Sequence, residues 1–100
     1  MKKKQRQYHH FTNEELWSLD VTISKFILPR LKRFKKSTNG YPSDLTWKKW
    51  CAILDKMIFS FDVIAGPKMW DVDCMMDKKL WKKVEEGLKL FAERFNSLWW

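Results

Sequence analysis

This 100-residue chain has little of what covalent scaffolding or chemistry requires. It holds two cysteines, Cys51 and Cys74, in no C-x-x-C arrangement. That excludes a disulfide framework and the common zinc spacings, and leaves two small apolar residues suited to a reducing compartment. Three glycines and three prolines are too few for a collagen-like or low-complexity chain. No apolar run approaches the roughly 18 residues of a membrane span, so no membrane association is expected. The charged start, Met1 to Gln7, leads into no apolar stretch and does not read as a secretory signal, so the expected location is cytoplasmic. There is no H-x-x-x-H, glycine-rich phosphate loop or nucleophile elbow. His9 and His10 are adjacent, and neighbouring histidines rarely face one ion. The expectation is a protein that is not an enzyme and needs no cofactor or metal.

Acid is also scarce. Twelve Asp and Glu stand against twenty Lys and Arg, a formal net charge of +8. Such an excess favours nucleic acid, nucleotides, acidic proteins or anionic surfaces as partners without choosing among them. Against these shortages, 45% of the residues are hydrophobic, with seven Trp and seven Phe. That is enough for one globular core. Residues 1–10 read as a basic tail and 11–100 as a single helical domain.

Three helices have legible ends. Thr12 and Glu15 form a T-x-x-E capping box, with Phe11 and Leu16 at the staple positions. Leu16, Leu19, Ile23, Phe26, Ile27, Leu31 and Phe34 then recur at three- and four-residue steps and predict one apolar stripe. Pro29 falls inside it, lacks the N–H that would bond the Lys25 carbonyl, and predicts a kink. Asn39-Gly40 and Tyr41-Pro42 read as a loop. Thr46 caps a second helix whose stripe runs from Trp47 through Trp50, Leu54, Met57 and Phe61 to Ala65, ended by Gly66-Pro67. Asp71 or Asp73 caps a third, with a stripe from Leu80 through Val84, Gly87, Leu88, Phe91 and Phe95 to Leu98. Gly87 on the apolar face invites close approach of another backbone. No hairpin signal competes. The expected fold is all-α, a three-helix up-down-up bundle with the first helix kinked at Pro29.

That topology gathers the cations at two poles. Lys2, Lys3, Lys4, Arg6, Lys78, Lys79, Lys82 and Lys83 fall at one, most simply a solvated face. Arg30, Arg33, Lys35, Lys36, Lys48, Lys49 and Arg94 fall at the other, with Tyr41, Trp47, Trp50, Trp99 and Trp100. Counting 100° per residue puts Arg30 on the apolar arc and Arg94 at a stripe edge. An inward guanidinium needs a carboxylate, a carbonyl or a bound anion. Cations beside aromatic rings can hold a phosphate and stack on a base. The candidate ligand-binding residues are therefore Arg30, Arg33, Lys36, Tyr41, Trp47, Lys48, Lys49 and Arg94. Asp20 also falls on the apolar arc, where a structural hydrogen-bonding role is expected. Trp17, Leu28, Phe59 and Val63 lie off the main stripes as extra apolar surface, either a wrapped core or an oligomer interface.

Several stretches carry a resemblance: Leu16-Trp17-Ser18-Leu19-Asp20, Ile27-Leu28-Pro29-Arg30-Leu31-Lys32, Gly40-Tyr41-Pro42, Leu54-Asp55-Lys56-Met57-Ile58 and Val84-Glu85-Glu86-Gly87-Leu88. Together they resemble a family of small tailed-bacteriophage proteins of no known activity, over most of residues 11–100. The resemblance implies a phage accessory protein in bacterial cytoplasm and supplies no functional residues. Two functions are expected. The first is a non-enzymatic binder of a phosphate-bearing ligand, a nucleotide signal or nucleic acid, serving counter-defence. The second is a protein–protein inhibitor or adaptor that presents a helical face to a host or phage protein, such as a host defence protein.

Overall fold

The computed structural model describes residues 12–66 and 77–99, and every regular element in them is helical. Helix α1 covers Asn13–Trp17, α2 Leu19–Ser37, α3 Trp47–Ala65 and α4 Lys78–Glu93, followed by a 3-10 turn at Phe95–Ser97. No helix among the described residues is long and apolar enough to cross a membrane.

The helix starts follow side-chain chemistry. The Thr12 N–H donates to Glu15 Oε1 at 2.6 Å, and the Glu15 N–H donates back to Thr12 Oγ1 at 3.3 Å, completing the expected capping box. Thr46 Oγ1 accepts from the Lys49 N–H at 3.2 Å and opens α3. The cap of α4 is Asp77, whose Oδ1 accepts from the N–H groups of Lys79 and Leu80. The expected caps Asp71 and Asp73, like the basic tail 1–10, lie outside the described residues.

The first helix is divided where the sequence reads as continuous. Ser18 adopts φ −125° and ψ 63°, which ends α1 and restarts the chain as α2. The Thr22 hydroxyl donates to the Glu15 carbonyl across the break at 3.0 Å. Ser and Thr compete with the helix ladder in this way. Pro29 lies within the 19 residues of α2.

Helix α3 is the middle element, with α2 packed on one side of it and α4 on the other. Trp50, Leu54, Met57 and Phe61 form the centre of the core, joined by Leu31 of α2. Leu88, Leu90 and Phe91 of α4 pack against the same cluster. No Cα of α2 lies within 8 Å of one in α4, so the two outer helices do not close on each other.

The α3–α4 contact depends on the absence of a side chain. A Cβ placed on Gly87 would stand 1.9 Å from Ser60 Oγ and 2.3 Å from the Lys56 carbonyl oxygen. Ser60 is fully buried and donates to the Val84 carbonyl at 2.7 Å. The expected close approach at Gly87 is met by α3.

Helix α2 is rotated relative to its stripe. Its buried positions are Ser24 and Leu31, with Thr38 just beyond its end and Leu28 half-buried between them. Leu16, Leu19, Ile23 and Phe26 are instead exposed, Leu19 at 47% and Phe26 at 59%. At 100° per residue the buried row lies roughly a quarter turn from the centre of the predicted stripe. Of the residues off the main stripes, Leu28 packs against the core, one of the two alternatives expected for it, whereas Trp17 is 85% exposed.

Candidate functional site

Several of the cations singled out by the sequence are already engaged. Arg94, at the end of α4, makes a two-pronged pair with Asp44 in the α2–α3 loop, Nη1 to Oδ1 at 3.0 Å and Nη2 to Oδ2 at 2.9 Å. The Arg94 hydrogen bond holds the Asp44 carboxyl below its ordinary range, and Asp44 in turn raises the guanidinium. Lys35 Nζ donates to Asp55 Oδ1 at 2.6 Å, and that bond raises the Lys35 ammonium despite some loss of hydration. Lys56 pairs with Glu86 at 2.8 Å. These acids lie 20 to 50 positions away from their cations, so no local spacing signals them.

Arg30 does not face inward. It is exposed, its Nη1 donates to the Phe26 carbonyl at 2.8 Å, and its Cζ lies 3.8 Å from the Phe26 ring centroid. The arc on which it sits is itself exposed here, as Leu19, Ile23 and Phe26 are, because α2 turns a different edge to α3. Arg33 Nε donates to Ser37 Oγ at 3.3 Å, and Arg30, Arg33 and Ser37 line one notch with Phe34. Lys36, Lys48 and Lys49 are exposed, and none forms an ion pair with another described residue. Asp20 is exposed too, and accepts from the Val21 N–H at 2.9 Å in place of any partner on another helix.

The aromatic residues divide. Trp50 is buried in the core, whereas Tyr41 and Trp47 meet edge to face with centroids 6.1 Å apart. Tyr41, Asn39, Gly40 and Pro42 bring the α2–α3 loop against Ser97 and Trp99, around a cleft that no cation of the described residues lines. The candidate residues are therefore dispersed: Arg30 and Arg33 share a notch, Tyr41 and Trp47 share a contact, and Arg94 is tied into a loop. Trp100 lies outside the described residues.

A larger feature lies between α2 and α4. Because those helices do not close on each other, they leave a groove of about 550 Å³. Ile23, Phe26, Ile27, Leu31 and Phe34 form one wall, with Arg30 among them. Phe91, Phe95 and Leu98 form the other, stiffened by edge-to-face contacts of Phe91 with Phe61 and Phe95. No carboxylate of the described residues lines it. Phe26 and Phe95, one from each wall, are both 59% exposed. Every wall residue except Arg30 belongs to a stripe the sequence assigns to the core, so periodicity alone conceals the groove.

Among the described residues no group of three or more His, Cys, Asp or Glu is placed to hold a metal ion. Cys51 is a half-buried free thiol; Cys74, His9 and His10 lie outside the described residues. No protein family model, curated protein or solved structure matches this chain.

Proposed function

We propose that this chain is a non-enzymatic protein–protein module, an inhibitor or adaptor that receives a partner protein in the groove between α2 and α4. The observation that carries this reading is the pair of facing apolar walls, open to solvent at Phe26 and Phe95. Concave, mostly apolar clefts with a single polar group in the lining are the usual form of a binding site. The ion pairs Lys35–Asp55, Lys56–Glu86 and Arg94–Asp44 support reading the long helices as up-down-up, with both walls held on α3. The family resemblance adds a setting: a phage accessory protein in bacterial cytoplasm acting on a host or phage protein.

A photo-reactive phenylalanine analogue in place of Phe26, in cells producing the full chain, tests the reading, with the same analogue at Lys49 as control. A single protein trapped from Phe26, absent from Lys49 and lost when Phe95→Asp is added, is the expected result. Equal trapping from both positions, or none from either, removes the groove from consideration.

A second reading keeps the phosphate-bearing ligand, and one observation favours it: Arg30, Arg33 and Ser37 line one notch. An anion there would be held through charge-assisted hydrogen bonds. Calorimetry with linear and cyclic nucleotides, and gel shifts across salt, test it. Nucleic-acid binding through phosphates weakens steeply as salt rises, and no binding at low salt ends this reading.

A further inference from the structure

We infer that the occupant of the α2–α4 groove is an acidic amphipathic helix of a partner protein, its apolar face between the walls and its carboxylates on Arg30 and Arg33. This rests on the reading above and names the partner's chemistry.

Shape is the first argument. The groove is concave, walled by Ile23, Phe26 and Phe34 on α2 and by Phe91, Phe95 and Leu98 beyond α3. A helix is a convex rod about 10 Å across whose apolar residues project as a row, the form that fills a trough between two helices. From Ile23 to Phe34 the α2 wall runs about 17 Å, so it meets about three turns of a partner, with anchors at i, i+3 or i+4, and i+7.

Charge is the second. Helix α2 carries Lys25, Arg30, Lys32, Arg33, Lys35 and Lys36 against a single acid, Asp20. Lys35 is paired with Asp55. Arg30 spends one donor on the Phe26 carbonyl and lies over the Phe26 ring, within the apolar wall itself. A planar guanidinium so placed suits a carboxylate flanking an apolar anchor. A second copy of this chain fits poorly, because it would bring two molecules of charge +8 together with Arg30 against Arg30. Nucleic acid would use the cations and leave the walls unmatched.

A synthetic helix of about 15 residues tests this, with Leu at i, i+3, i+4 and i+7 and Glu flanking them, against the same peptide with Lys for Glu. The full-length protein is titrated by fluorescence anisotropy and by amide NMR shifts. The Glu peptide is expected to bind with shifts centred on Ile23, Phe26 and Phe95, and the Lys peptide to bind at least roughly tenfold more weakly. The double change Arg30→Glu, Arg33→Glu reverses that preference. Phe26→Asp abolishes binding with the helical circular dichroism unchanged, since this side chain is largely outside the core.

Equal binding of both peptides, shifts centred elsewhere, or a preference that survives the charge reversal overturns the proposal. A dimer that dissociates on Phe26→Asp overturns it in favour of self-association. Phosphatidylglycerol vesicles that bind with the same Phe26 dependence overturn it in favour of a membrane surface. If neither peptide binds while trapping from Phe26 persists, the acidic-helix proposal falls and the wider reading stands; if trapping also fails, both fall.

Discussion

Gly87 and Ser60 meet where α4 crosses α3, with room for a hydroxyl and none for a methyl group. Ser60 Oγ sits where a Cβ on residue 87 would need to be, and the Lys56 carbonyl closes the space behind it. This contact holds one wall of the groove on the middle helix.

Gly87→Ala should therefore destabilise the protein. Helix propensity gains about 1 kcal/mol from the change. Overpacking costs about 1–3 kcal/mol where neighbours can yield, and here one neighbour is backbone. The loss wins, and urea unfolding should show a lower midpoint with unchanged slope. Adding Ser60→Ala should restore only part of it, because the Lys56 carbonyl remains and the bond to Val84 is lost.

The exposed and buried halves of the α2 stripe should separate in a truncation series. Leu31→Ala removes a side chain packed with Trp50 and Leu54 and should cost about 2–5 kcal/mol. Leu19→Ala, at a half-exposed position, should cost under about 1 kcal/mol. Equal losses in thermal melts would show that both halves are core.

The Arg94–Asp44 pair should leave a signature in acid. Asp44 has its carboxyl lowered in the folded state, so its contribution is complete above the ordinary carboxylate range and is lost as pH falls through the lowered value. Wild type and Asp44→Asn should differ in urea midpoint at neutral pH and converge in strong acid. Added salt should narrow the neutral difference, because Asp44 is well exposed.

Lys35 behaves with the opposite sign. Its ammonium is raised by Asp55, so the stabilisation is complete below the ordinary lysine range and disappears as pH rises through the raised value. A double-mutant cycle of Lys35→Met and Asp55→Asn should give a coupling below about 1 kcal/mol at neutral pH, vanishing in strong alkali. Coupling that grows with pH would contradict the pairing.

What the sequence could determine about this protein was its local content. Capping residues act within three or four positions, so Thr12, Glu15 and Thr46 announced their helices, and Gly87 announced a close approach. Composition marked an excess of positive charge. Tertiary structure alone decided how that content was used. A stripe as broad as Leu16 to Phe34 can turn either edge to a neighbour, and packing on α3 chose the Ser24–Leu31 edge, leaving Ile23 and Phe26 on a groove. Asp44 and Asp55 reached Arg94 and Lys35 only because the folded chain brought distant segments together. Arg30 kept the arc its number assigned, but packing turned that part of the arc to the groove, where its guanidinium meets a carbonyl, a ring face and water.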